Sequence, residues 1–98
     1  MKYTFVCDWT DYMSTLLDDM FVVVVEAETY EEAERRAAEA ALDYFPSLRD
    51  YESPKTFWGG ERGAVRVAEF YGDVSANLVD RHAYDIIREG ADPASKEA

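Results

Sequence analysis

Four consecutive valines in the run MFVVVVEAE, residues 20–28, constrain the fold of this 98-residue chain more than any other feature. The stiff χ1 angles of β-branched side chains crowd the preceding turn of a helix, so the run predicts a strand. Apolar residues continue through Val25, which indicates a strand that is central in its sheet or covered on both faces.

The residues that follow predict a helix that begins at Thr29. Thr29 and Glu32 match the T-x-x-E capping box, in which the threonine accepts from the glutamate amide and the glutamate bonds back. Apolar residues then recur at helical spacing on an alanine-rich stripe, which would let the helix lie close to a sheet. Pro46 cannot continue a helix, so we expect it to end near Tyr44.

Three further segments carry a recognisable period. Residues 3–9 alternate as a half-buried strand does, and residues 64–71 predict another strand with Val65 and Val67 on one face. From residue 75 or 76 to 89, apolar residues spaced by four predict a second helix that Gly90 closes. Residues 46–63 form the main loop, in which residues 55–58 are expected to pair as a short strand through the turn GGERG.

These elements predict an α+β fold in one domain, residues 1–90, followed by a flexible tail at 91–98. The expected architecture is a small two-layer sandwich, with a three- or four-stranded, mainly antiparallel sheet and both helices mainly on one face. The order is β-β-α-(β)β-α. Residues 10–19, between the first two strands, are either a short helix or an ordered loop.

The charge balance limits the classes of partner. The chain has 21 acidic residues against 10 basic ones and a net charge of −11, so direct binding of nucleic acid is disfavoured. Nine acidic residues lie between Lys2 and Arg35, where no basic residue occurs. Glu31 and Glu32 lie in the first turn of the predicted helix, where the helix dipole favours them. Six acidic residues have no evident structural role and are predicted to bind a basic partner: Asp8, Asp11, Asp18, Asp19, Glu26 and Glu28.

Two of these carboxylates suggest a further possibility. If Glu26 and Glu28 lie on the same face of the valine-rich strand, two strand rises place them about 6.6 Å apart. Two phosphate steps along one DNA strand span about the same length. The spacing therefore favours the hypothesis that the protein mimics a nucleic-acid backbone.

The reactive and metal-binding side chains of the sequence do not form a recognisable catalytic or metal site. Cys7 alternates with Phe5 and Trp9, which indicates a buried thiol with a raised pKa. His82 lies on the apolar stripe of the second predicted helix and is interpreted as a structural histidine. One cysteine and one histidine cannot furnish a structural zinc site, and GGERG lacks the Lys-Ser/Thr of a phosphate-binding loop. We expect no catalytic, cofactor or metal residues.

Phe57 and Trp58 remain as aromatic residues on the main loop. They are candidate anchors for a partner, and the alternative is that Trp58 folds back over the sheet edge. A lone cysteine and the absence of an apolar run near ~20 residues favour a cytoplasmic protein that does not cross a membrane.

Two hypotheses of function follow. The first is a small acidic, non-enzymatic module or inhibitor that docks on a basic protein, as in a bacterial or bacteriophage regulator of the anti-CRISPR type. The second is a homo-oligomeric structural or accessory domain, such as a homodimer, in which acidity serves only solubility.

Overall fold

A computed structural model describes residues 1–10, 20–79 and 85–90 of the chain. Its strands are β1 (Lys2–Trp9), β2 (Phe21–Glu26), β3 (Ala64–Tyr71) and β4 (Asp85–Arg88). Its helices are α1 (Tyr30–Tyr44), a 3₁₀ helix (Pro46–Asp50) and the short α2 (Ser75–Val79). One four-stranded sheet has the order β3-β1-β2-β4, in which β1 is antiparallel to both neighbours and β2 is parallel to β4. The predicted α+β class with a mainly antiparallel sheet is confirmed.

The predicted bounds of helix α1 are confirmed, and one of the two capping-box bonds is present in the described residues. The Thr29 side chain accepts a hydrogen bond from the Glu32 amide at 3.2 Å, and the Glu32 carboxylate pairs with Arg36. At the other end the Phe45 amide donates to the carbonyl of Ala41, and the 3₁₀ helix begins at Pro46. The alanine stripe of α1 lies against the sheet, and its small side chains allow the close approach.

The main core lies between α1 and one face of the sheet. Alternate side chains of β1, odd-numbered side chains of β2 and Ile87 of β4 point to this face, as the two-residue period of a strand requires. The core residues from these strands are Tyr3, Phe5, Cys7, Trp9, Phe21, Val23, Val25 and Ile87.

The opposite face of the sheet carries a second, smaller cluster. Val6, Val22 and Val24 are buried there, and Leu78 of α2 packs on them. The two helices therefore contact opposite faces, and the expectation that both pack on one face is wrong for α2. Fully buried Thr4 fixes the chain on this face, because its hydroxyl donates to the carbonyl of Gly72 at 2.7 Å.

A bulge in β3 changes which side chains face the core. Val6 pairs with Ala68 and Cys7 pairs with Arg66, so Val67 is an extra residue. Arg66 consequently lies on the α1 face, while Val65 and Val67 are exposed.

The C-terminal segment differs most from its prediction. In place of one helix over residues 75–89, α2 ends at Val79 and β4 occupies Asp85–Arg88. Ile87 faces the α1 core and Ile86 packs on the second cluster, so consecutive apolar residues are used on opposite faces of the sheet. The parallel pairing of β4 with β2 overrides the local helical spacing.

Other boundaries shift less. Strand β2 ends at Glu26, two residues before the predicted end. Instead of a short strand at residues 55–58, the described loop has a single bridge between Trp58 and Ala64. The predicted tail and the residues between 10 and 20 lie outside the described ranges. No helix in the described ranges is long and apolar enough to cross a membrane.

Candidate partner-binding surface

Five carboxylates gather where β2 leads into α1, beside the residue that follows β4. We call this the acidic corner; its members are Glu26, Glu28, Glu31, Glu32 and Glu89. Four of them line an open groove of about 490 Å³, whose described lining also holds two cationic groups, the Arg36 guanidinium and the Met1 ammonium, which donates to the carbonyl of Ala27. The corner therefore combines an open surface with an excess of negative charge.

Arg36 is shared between two members of the corner. Its Nε lies 3.0 Å from Glu32 and its Nη1 lies 3.4 Å from Glu89. The Glu89 carboxylate also accepts from the Glu26 amide at 3.2 Å, which joins β4 to the end of β2. Within the described residues, the carboxylates of Glu26, Glu28 and Glu31 make no ion pair, and all three residues are exposed.

Arginines elsewhere are paired with carboxylates that lie close to them. Arg66 contacts Glu34 at 2.9 Å and Glu69 at 3.0 Å, and Arg88 contacts Asp73 at 2.7 Å. These pairs neutralise negative charge along β3 and around α2. Glu26, Glu28 and Glu31 thus lie close together without such a partner, whereas Asp50 and Glu61, also exposed, lie elsewhere on the described surface.

Asp8 lies far from this corner. Lys2 pairs with Glu26 at one end of the β1–β2 ladder, and Cys7 pairs with Phe21 at the other, so Asp8 is at the opposite end. Six residues of strand correspond to about 20 Å. This distance exceeds twice the Debye length of about 8 Å, so the fields of the two groups do not add. Asp11, Asp18 and Asp19 lie outside the described residues.

The strand assumed in the argument for nucleic-acid mimicry ends before Glu28. Glu26 is the last residue of β2, and Glu28 belongs to the bend that precedes α1. The strand rise therefore does not set the separation of the two side chains, and the expectation that both lie on one face of the strand is wrong for Glu28.

Phe57 is fully buried, so the expectation of an exposed anchor is wrong for this residue. Its amide donates to the carbonyl of Ser53, and its own carbonyl accepts from Ala64 at 3.1 Å and from Gly60 at 3.3 Å. The loop closes so tightly that a Cβ at Gly63 would lie 1.8 Å from the carbonyl oxygen of Phe57. Gly63 is therefore required for the loop to seat Phe57 in the core.

Trp58 is half-buried and lies between β3 and α1. Its Nε1 donates to the carbonyl of Glu34 at 2.8 Å, and its ring lies 4.8 Å from the guanidinium carbon of Arg66. The Nη1 atom of Arg66 is buried without a hydrogen-bond partner, and the face of the Trp58 ring supplies a favourable environment for this cation. Trp58 thus folds back over the edge of the sheet, which is the alternative to an exposed anchor.

Cys7 and His82 are the two residues that the sequence offered as a nucleophile and a base. Cys7 is fully buried, and burial raises the pKa of its thiol far above the ordinary value. His82 lies outside the described ranges. Over residues 1–10, 20–79 and 85–90, no group of three or more histidine, cysteine or acidic side chains is placed to hold a metal ion.

Comparison of the chain with protein-family models, with curated proteins and with solved structures finds no match.

Sequence reasoning identified Glu26 and Glu28 but missed the other members of the corner. The helix dipole is a sufficient reason for Glu31 and Glu32 in the sequence, although an exposed residue at a helix start can also face a partner. The local spacing predicts a helix at Glu89, and the parallel β2–β4 pairing brings this residue beside Glu26. No local signal in the sequence reports that pairing.

Proposed function

We propose that the protein is a non-enzymatic binding module whose acidic corner docks on a basic surface of a protein partner. The observation that carries the proposal is the group of three exposed carboxylates, Glu26, Glu28 and Glu31, that make no ion pair within the described chain. A partner's arginine or lysine can bind them without displacing an internal cation. Such pairs steer association and select the partner more than they add to affinity.

Basic surfaces are typical of proteins that bind nucleic acid. A partner of this class would lose access to its nucleic acid while the acidic corner is docked on it. The proposed action is therefore inhibition by occupancy of a basic surface, and it does not depend on copying the phosphate spacing.

The test compares two double variants with the same change in net charge. Glu26→Gln with Glu28→Gln removes two unpaired carboxylates of the corner. Asp50→Asn with Glu61→Gln removes two exposed carboxylates elsewhere. Asp50 ends the 3₁₀ helix that follows the C-terminal end of α1. The backbone carbonyl of Glu61 accepts from the hydroxyl of Thr10, just beyond the far end of β1, so both control residues lie away from the corner.

The probe is a fluorescein-labelled nona-arginine peptide, whose binding is followed by anisotropy at about 0.1 M and about 1 M salt. At the lower salt we expect the Kd of the corner variant for the peptide to be at least about threefold higher than that of the original chain. Each exposed ion pair contributes about 0.2–1 kcal/mol, and the variant loses two carboxylates. The control variant should bind within about twofold of the original chain. At the higher salt the three proteins should converge.

The same variants then serve as baits for basic proteins from the native host. Capture that is lost with the corner variant and kept with the control supports the proposal. Equal peptide binding by both variants would mean that the corner is not the docking surface. If neither variant differs from the original chain, the acidity serves solubility.

A further inference from the structure

The outer edge of β3 exposes apolar side chains over much of its length. The exposed fractions are 42% for Val65, 54% for Val67, 42% for Phe70 and 75% for Tyr71. β3 is the first strand of the sheet order, with β1 on its inner side. Long exposed edges with apolar side chains are templates for pairing with another strand.

The two halves of this edge differ in their protection. Ala64 donates to the carbonyl of Phe57 and accepts from the Gly59 amide at 2.8 Å, so the loop covers the beginning of the outer edge. The bulge at Val67 then interrupts the regular ladder. Among the described residues, no strand or bridge pairs with the outer side of β3 after Ala64. Within these residues, the part of the edge without a pairing strand or loop is Ala68–Tyr71.

The hydrogen bonds to β1 establish which backbone groups point outward. The Gly72 amide donates to the carbonyl of Lys2 at 2.7 Å, so Gly72 faces β1. In an antiparallel ladder the residues alternate between inward and outward bonding. Phe70 and Ala68 therefore face β1, and the amides and carbonyls of Glu69 and Tyr71 face outward.

A second copy of the chain can use these outward groups in a symmetric antiparallel pair. A two-fold axis at Phe70 places Glu69 opposite Tyr71 of the other copy, twice, which gives four backbone hydrogen bonds. Phe70 then lies opposite its own copy, in a non-hydrogen-bonded pair with Cα atoms about 4.5 Å apart. The two aromatic rings would lie on the same face of an extended sheet.

Competing registers are less favourable. An axis at Glu69 places two glutamates directly opposite each other, which destabilises the pair. An axis at Tyr71 leaves Glu69 opposite Asp73, again with like charges. The charge pattern of the strand thus selects the register centred on Phe70.

We infer that Ala68–Gly72 is a homodimer interface, in which β3 pairs antiparallel with β3 of a second copy around Phe70. A basic partner is a poor occupant, because the exposed side chains of this edge are mainly uncharged while the unpaired carboxylates lie at the acidic corner. Five strand spacings, about 24 Å, separate the two β2 strands in such a dimer. This distance is three Debye lengths, so the acidic corners do not oppose association.

The first experiment measures the mass of the chain by light scattering from about 1 µM to about 1 mM. A contact of this size is small for a protein interface, so we expect dimerisation toward the upper part of this range. The mass should rise toward twice the chain mass of 11.2 kDa. Phe70→Lys should keep the monomer mass throughout. Val65→Lys changes a residue with the same exposed fraction, 42%, in the same strand, and should dimerise as the original chain does.

The second experiment tests the register. Phe70→Cys places two thiols across the axis at a Cα separation within the disulfide range, so mild oxidation should give a covalent dimer. Val65→Cys should remain uncross-linked, and the native Cys7 is buried. Circular dichroism checks that each variant is folded. A chain that stays monomeric at every concentration, or equal cross-linking of both cysteine variants, would overturn the inference. Neither readout uses a basic probe, so the result is independent of the proposed docking function.

Discussion

Trp58 connects the loop after the 3₁₀ helix to α1, to β3 and to the core. Its indole donates to a carbonyl of α1, its ring lies beside Arg66, and its centroid is 6.4 Å from that of Phe5. The hydrogen bond satisfies the one polar group of a side chain that is otherwise apolar. Such a residue closes the edge of the core, which accounts for its position better than exposure on a mobile loop does.

Two substitutions separate the contributions of Trp58. Trp58→Phe keeps most of the ring contacts and loses the donor to Glu34, so it should lower the free energy of unfolding by about 1 kcal/mol. Trp58→Ala also removes the ring beside Arg66 and should lower it by about 2–3 kcal/mol. Urea denaturation measures both values. If Trp58→Ala left stability intact and instead weakened binding of a partner, the residue would be an interface anchor.

Sequence alone could not assign this loop. An aromatic pair beside a glycine-rich turn is compatible with an exposed loop and with a cover for the core. The choice depends on the close approach of Gly63 to Phe57 and on a carbonyl of α1 that lies 24 residues away in the chain. Neither contact leaves a periodic signal.

At the scale of elements, local patterns were sufficient where a segment is specified by its own residues. The valine run, the Thr29 cap and Pro46 predicted β2 and α1 within two residues. Local patterns gave the wrong element for the end of residues 75–89. The apolar residues of this segment fit a helical spacing of four, but Ile86 and Ile87 are adjacent, which also suits a strand covered on both faces. Pairing with β2 decides between the two, and pairing is not local.

The junction between α2 and β4 depends on one carboxylate. Asp73 accepts from the hydroxyl of Ser75 at 2.6 Å, from the guanidinium of Arg88 at 2.7 Å and from the Ser75 amide at 3.1 Å. These bonds favour the ionised form and lower the pKa of Asp73 to about 2 from its ordinary value of 3.8. Asp73 therefore links the start of α2 to the strand that completes the sheet.

This pKa predicts a defined dependence of stability on pH. Because the pKa is lower in the folded chain than in the unfolded chain, the stabilisation is complete above pH 3.8 and is lost as the pH falls toward 2. Asp73→Asn should lower the free energy of unfolding at neutral pH, and its difference from the original chain should shrink over that interval. Asp50→Asn, which removes one exposed carboxylate away from this junction, is the charge-matched control for the measurement. A difference for Asp73→Asn that stays constant with pH would contradict the assignment.

At the scale of the whole molecule, the distribution of charge matters more than its total. The net charge of −11 and the acidic N-terminal third were visible in the sequence. The sequence did not show that the acidic residues of this third are separated in space. Antiparallel pairing of β1 and β2 places Asp8 and Glu26 at opposite ends of one hairpin. Parallel pairing of β4 then adds Glu89 to the Glu26 end. Charges that are near in sequence are separated, and charges that are far apart in sequence are joined.

The acidic corner should consequently contain carboxylates with opposite effects on stability. Glu26→Gln with Glu28→Gln relieves repulsion among unpaired charges, so the free energy of unfolding should stay constant or rise by about 0.5 kcal/mol at low salt. Glu32→Gln removes the pair with Arg36 in the first turn of α1 and should lower it by about 0.5–1 kcal/mol.

Denaturation with urea at about 0.1 M and about 1 M salt measures these changes, since urea itself adds no charge. Both should diminish at the higher salt, where the Debye length is about 3 Å. If the double variant lost as much stability as Glu32→Gln, then Glu26 and Glu28 would hold the corner together. Carboxylates with that structural role would not be available to a basic partner, and the docking proposal would lose its basis.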